Sequence, residues 1–251
     1  STNSGQNWTQ TTLNSKSISS LAISGNNIFA GTTGGGIYLS TNNGQSWIQT
    51  TLSSMSVYSL IVKQNILIAG TNYNGVFISS NNGITFKNTG LNSQVVYSLS
   101  QIGNSIFAGA LYVGVWSSTN SGLNWLQAGL NGKQVRSITA IENNIFAGIE
   151  EVQMLTGGIK KSTDSGQNWS QVNFINYSVG ALAKNGNYIF AGTDGYIGVR
   201  FSTNLGQNWA QTNLNNEAIH CFAISGNNMY AGTGGSGVYL STDNGHTWTQ
   251  T

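Results

Sequence analysis

The chain has no proline, one cysteine and few charges: Asp, Glu, Lys and Arg together make up 6% of its 251 residues. A lone cysteine, Cys221, excludes an intrachain disulfide. Soluble domains usually carry about 25% charged residues, so Asn, Ser, Thr, Gln and Gly must supply the polar surface here. The nine basic residues are scattered, and the net charge is only +2. Binding a nucleic acid by counterion release needs a dense basic footprint, so no nucleic-acid partner is expected. No apolar run reaches the roughly 18 residues that would span a bilayer, and no membrane insertion is expected. Without proline, the turns fall to Asn-Gly, Asn-Asn-Gly and Gly-Gly pairs. The chain opens directly in a repeat at Ser1, with no leader sequence in view.

What the sequence has is self-similarity. The segment Ser-Thr-Asn-Ser-Gly-Gln-Asn-Trp at 1–8 recurs six more times with small changes. Its closing aromatics are Trp8, Trp47, Phe86, Trp125, Trp169, Trp209 and Trp248, at intervals of 39, 39, 39, 44, 40 and 39 residues. An Ala-Gly pair follows each of the first six closing aromatics, its alanine 22 residues on in every case, at Ala30, Ala69, Ala108, Ala147, Ala191 and Ala231. All length variation therefore lies between the Ala-Gly pair and the next turn. Within the first full unit the pattern predicts strands at 18–23, 27–32, 36–40 and 46–50, runs of β-branched and aromatic residues separated by hairpin signals. No helical period is sustained. Four antiparallel strands per unit, repeated, predict an all-β fold: a six-bladed β-propeller of four-stranded antiparallel blades, in a single domain. The blades are expected near 17–51, 56–90, 95–129, 134–173, 178–213 and 218–251, with 1–12 a partial blade or closure strand. The alternative is a seven-bladed propeller with an incomplete blade.

The repeated turn, Ser-x-Asp-x-Gly-x-x-Trp, resembles the Asp box or BNR repeat of sialidases, xyloglucan-cleaving hydrolases, sortilin-type receptors and photosystem II assembly factors. Asp164 and Asp243 match its acidic position, while Asn3, Asn42, Asn81, Asn120 and Asn204 replace it elsewhere, and Phe86 replaces Trp once. The resemblance implies a propeller but no particular chemistry. Since most copies are Asn, the position does not require a charge. Its expected work is structural: an oxygen accepting backbone N–H groups, a glycine in a left-handed turn, and an aromatic packed between sheets.

Functional expectation falls where the units stop agreeing. Eleven residues after each closing aromatic stand Ser19, Tyr58, Tyr97, Arg136, Gly180 and His220, between an invariant Ile or Val and a small residue. On the innermost strand of a propeller, this set would line the mouth of the central channel. The loop after Ala-Gly varies too, and supplies Tyr73, Tyr112, Glu150, Glu151, Asp194 and Tyr196. Exposed Tyr and Arg suit a glycan or a protein/peptide ligand.

No His/Cys/carboxylate spacing marks a metal site, and no cofactor is expected. Cys221 reads as a small packed residue facing a neighbouring sheet. The Gly232–Gly237 run spells a dinucleotide fingerprint, but it joins two strands and no helix follows to receive phosphates. A site like that of the sialidases would need a triad of arginines, whereas only Arg136 and Arg200 exist. A glycosidase would need two opposed carboxyl groups, from among Glu150, Glu151, Asp194 and Glu217. The expected function is a non-catalytic binding or scaffold module of a larger secreted or bacterial cell-surface protein. The alternatives are a glycoside hydrolase-like enzyme and a purely structural array.

Overall fold

A computed structural model describes residues 1–150, 157–175 and 177–251. The described residues form six four-stranded antiparallel sheets and no helix, each sheet built from four consecutive strands in spatial order. This is the six-bladed β-propeller architecture that the repeat predicts. The strands fall into two compact units, one of residues 10–132 and one of residues 1–9 with 133–251.

The first unit holds three blades. They are β1 (Ile18–Ser24), β2 (Asn27–Thr32), β3 (Gly36–Ser40) and β4 (Ile48–Gln49); β5 (Val57–Lys63), β6 (Ile66–Thr71), β7 (Val76–Ser79) and β8 (Lys87–Gly90); and β9 (Val96–Ile102), β10 (Ser105–Ala110), β11 (Gly114–Ser118) and β12 (Leu126–Gln127). Phe29, Ile37, Val57, Leu60 and Leu67 form one buried cluster between the first two blades, and Ile68, Val76, Val96, Leu99 and Ile106 form the next. The second strand of each blade is the most buried, which explains its near-continuous apolar run ending in Ala-Gly. At β1 the apolar side chains find less cover: Leu21 and Ile23 are exposed.

The second unit repeats the plan. Its blades are β13 (Gln134–Ile141), β14 (Asn144–Glu150), β15 (Gly158–Ser162) and β16 (Ser170–Ile175); β17 (Val179–Asn185), β18 (Tyr188–Thr193), β19 (Val199–Ser202) and β20 (Ala210–Gln211); and β21 (Ile219–Ser225), β22 (Asn228–Thr233), β23 (Val238–Ser241) and β24 (Thr249–Gln250). Phe146, Ile159, Phe174, Val179 and Ile189 pack between the first two of these blades, and Phe190, Val199, Ile219, Met229 and Trp248 between the last two.

The repeated turn has one geometry throughout. In the first blade the Asn42 side-chain oxygen accepts the Ser46 backbone N–H at 2.9 Å, Ser40 Oγ accepts that of Gly44 at 2.8 Å, and the Trp47 indole donates to the Gly44 carbonyl at 3.1 Å. Gly44 is left-handed, with φ +82°. Where the residue is Asp164, hydrogen bonds from the Asn168 backbone and side chain and from Ser162 hold its pKa down to about 2. At Asp243 burial pushes upward, but bonds from the Thr247 side chain and backbone and from Ser241 outweigh it, and the pKa is again about 2. An accepting oxygen is all the turn uses, so Asn serves equally.

The N-terminal copy of the turn behaves differently. Residues 1–17 form no strand, so the tail does not complete a sheet; the last blade already has its own outer strand, β24. The turn instead seats on that blade. A β-carbon at Gly5 would lie 2.9 Å from the Tyr230 ring, and the Trp8 indole donates to Thr251 Oγ1 at 3.0 Å. Trp8 is 56% exposed. Having no strand of its own to close onto, it does not share the packing expected of the closing aromatics.

Outer strands are shorter than expected. The fourth strand of the first blade is paired only at Ile48 and Gln49. Backbone bonds continue past it, from the Thr50 N–H to the Ile37 carbonyl and from the Ile37 N–H to the Leu52 carbonyl, both at 2.9 Å, and Gln49 Nε2 adds bonds to the carbonyls of Gly35 and Ser53, also at 2.9 Å. Gln127, Gln171, Gln211 and Gln250 repeat the device. These five glutamines, each two residues after a closing tryptophan, add side-chain bonds to carbonyls beside the backbone ladder.

Candidate functional site

The variable first-strand position has a structural cause that alternation alone does not reveal. In every blade the register between first and second strands slips there. Ile18 pairs with Thr32 and Ser20 with Gly31, leaving Ser19 without a partner of its own. The same slip skips Tyr58, Tyr97, Arg136, Gly180 and His220. Each is the extra residue of a β-bulge, a device that bends the strand and re-aims one side chain. A bulge residue is released from the ladder, which is why its identity is free to change while its neighbours are fixed.

In the first unit the bulges present aromatic surface. Tyr58 and Tyr97 lie with ring centroids 5.5 Å apart, tilted by 34°, and both are half-buried. Ser19 Oγ donates to the carbonyl of Gly31 at 3.0 Å and also to that of Val57. The loops after Ala-Gly add Tyr73 and Tyr112, 61% and 52% exposed. Both hold left-handed backbone, φ 57° and 56°, at the offset where the first blade has Gly34.

In the second unit the same two positions carry charge. Arg136 holds Glu150 in a bidentate pair, Nε to Oε2 and a terminal nitrogen to Oε1 at 3.0 Å. Asp194 stands 3.7 Å from Nδ1 of His220. Burial raises the Asp194 pKa, the negative charge of Glu150 raises it further, and His220 and Arg136 oppose. The glycine of the set is explained by this neighbour: a β-carbon on Gly180 would come within 2.6 Å of Asp194 Oδ1. His220 in turn lies over Gly234, whose β-carbon would be 3.0 Å from Nε2. The Gly232–Gly237 run thus gives way to an imidazole. Tyr196, 73% exposed with φ 56°, is the third tyrosine in left-handed backbone. Glu217 stands apart from the carboxylate pair and accepts a hydrogen bond from Ser236 Oγ at 2.8 Å. Glu151 lies outside the described residues.

Thus Arg136 and Glu150 meet directly, as do Tyr58 with Tyr97 and Asp194 with His220. Cys221 corrects an expectation: it is exposed rather than packed against a sheet. Its strand β21 is exposed at most positions. Among the described residues, no group of three His, Cys, Asp or Glu side chains is placed to hold a metal ion.

No protein-family model and no curated protein sequence matches the chain. Solved structures do match in fold. A GH74 xyloglucanase from Xanthomonas campestris superposes with a TM-score of 0.74 at 13% identity, over 92% of this chain and 46% of its own. YCF48 bound to D1 peptide gives 0.69 at 14% identity, over 94% and 82%. The extracellular domain of the putative one-component system BT4673 from B. thetaiotaomicron gives 0.72 at 20% identity, over 89% and 32%. The chain spans about half the length of the xyloglucanase and a third of the BT4673 extracellular domain. At such identities the likeness establishes the propeller and nothing of its chemistry.

Proposed function

We infer that the chain is a non-catalytic binding or scaffold propeller that meets a glycan or peptide through its bulge residues and the loops beside them. One observation carries this reading: all six variable first-strand residues are bulge residues. The tyrosines support it. A bulky residue in left-handed backbone costs roughly 1 kcal/mol relative to glycine, and Tyr73, Tyr112 and Tyr196 are too exposed to recover that by packing. Strain retained at exposed aromatics fits selection for contact. Among similar folds, one is named with a bound peptide and another as an extracellular domain. The first supports a recognition role, and the second a place in a larger secreted or cell-surface protein. On this reading the repeated turn is an Asp box serving architecture.

Tyr73→Gly and Tyr112→Gly separate fold from function. Both variants are expected to be more stable than the parent, by roughly 1 kcal/mol each, while binding on glycan and peptide arrays weakens. Variants that gain stability and keep every array signal would overturn the reading.

A second reading, a glycoside hydrolase-like enzyme, draws on the raised Asp194 carboxyl beside Glu150 and on the likeness to xyloglucanases. Against it, the bidentate pair with Arg136 occupies both Glu150 oxygens. Release of reducing ends from xyloglucan, abolished by Asp194→Asn or Glu150→Gln, would establish it instead.

A further inference from the structure

A second feature lies away from the bulges, inside the first unit. At the fourth residue after the closing aromatic, three units carry a polar side chain that fastens one blade to the next turn. Thr12 Oγ1 donates to the Gln45 carbonyl at 3.1 Å, and Thr51 Oγ1 to the Ile84 carbonyl at 3.0 Å. Asn213 spans both backbone groups of Trp248, donating to its carbonyl at 3.1 Å and accepting its N–H at 2.8 Å. At the junction between the second and third blades this position is Gly90, which, like Gly129 in the next unit, has no side chain to offer.

A cleft of about 390 Å³ opens at that point, lined by Thr89, Gly90, Leu91, Asn92, Gln94, Trp116, Asn124 and Trp125. Its size falls within the roughly 300–1,000 Å³ of small-molecule sites. A β-carbon on Gly90 would already touch Trp125 Cδ1 at 3.4 Å, so any larger side chain would enter the space. The lining is uncharged and combines two indoles with three carboxamide side chains and a hydroxyl. Asn92 and Asn124 are exposed at the lip. The indole N–H of Trp116 is buried and has no hydrogen-bond partner, a group that usually has an explanation in a native structure.

We propose that this cleft is a binding site for a neutral saccharide unit. Indole faces receive the apolar C–H face of a sugar ring, and carboxamides both donate to and accept from its hydroxyls. The absence of charge excludes selection for sialic acids, uronic acids or phosphorylated ligands, each of which would need a basic partner. A polyhydroxylated ring would also replace the fastening that Gly90 omits. The site shares no residue with the bulges, so it stands independently of the function proposed above.

The test is calorimetric titration of the whole chain with cellotetraose, mannotetraose and a neutral xyloglucan oligosaccharide. Binding is expected with Kd on the order of 1 mM or tighter for at least one of them. The double variant Asn92→Ala/Gln94→Ala, at accessible side chains, is expected to weaken it by about tenfold. Trp116→Tyr, which copies Tyr38 and Tyr239 of other blades, checks the indole without disturbing the fold. Lys184→Ala, at an exposed residue outside both the cleft and the bulges, is expected to leave this affinity unchanged, and Arg136→Ala and Tyr97→Ala serve as the bulge variants. No binding by any of the three sugars would overturn the proposal. So would binding that survives the cleft variants and disappears with the bulge variants.

Discussion

The two units use the same bulge for opposite ends of the chemical range. In residues 10–132 it presents Ser19 and two tyrosines, whose rings touch each other and need no counter-charge. In the other unit it presents Arg136 and His220, answered by Glu150 at the end of β14 and by Asp194 in the loop after β18. Even the glycine among the six fits this division, since it makes room for Asp194. A bulge decouples one side chain from the ladder, so a repeat can keep its framework while surface chemistry changes blade by blade. The aromatic patch is ready for stacking. The charged patch is already internally paired, and a ligand there must compete with those pairs or add to them.

The contrast predicts different responses to truncation. Arg136→Ala leaves Glu150 unpaired beside Asp194, and is expected to cost about 1–2 kcal/mol, reduced from a fully buried pair by partial exposure. Chemical denaturation measures this loss, and Glu150→Gln in the same background is expected to restore part of it. Equal stability in Arg136→Ala and parent would show that the charged patch is not a paired cluster. In the aromatic patch the coupling is smaller. A double-mutant cycle on Tyr58→Leu and Tyr97→Leu is expected to return about 0.5–1.5 kcal/mol, and zero coupling would mean that the two rings act separately.

The smallest effect expected is at Asp194. Its folded pKa is raised, so its contribution to stability is complete below the unfolded value of about 3.9 and is lost as pH rises through the folded value. Asp194→Asn is therefore expected to be slightly more stable than the parent at pH 7, with the advantage vanishing on acidification. The two turn carboxylates run the other way: with pKa values of about 2, their contribution is present at neutral pH and disappears as pH falls below about 4. Thermal midpoints across pH would show both slopes, and a higher midpoint for the parent than for Asp194→Asn at pH 7 would contradict the first.

The architecture was legible because periodicity is a property of the whole chain. The strands expected at 27–32 and 36–40 are those observed, since hairpin signals and apolar runs bound them tightly. The outer strand, expected at 46–50, shortens to Ile48–Gln49, and a glutamine amide adds bonds beside it. That glutamine recurs in the sequence, but a side chain that supplements a ladder looks like any other surface polar residue. The variable positions were visible as disagreement between units, and the bulge that produces them was not, because a register slip leaves no residue signature when its own residue is free. Nor does the sequence show that residues 1–8 would dock as a turn, that Cys221 would be exposed, or that Gly90 would leave a cleft. Each of these depends on what the neighbouring blade offers.

One contact has a mechanical meaning. Trp8 is hydrogen-bonded to Thr251, and the turn around Gly5 rests on Tyr230, so the two ends of the chain are latched on the same blade. Tension applied between the termini would load that latch before any sheet. Once it yields, the two-residue outer strand β24 is the next element in line. The force of that first rupture would be set by one indole and one hydroxyl, well below what any sheet resists.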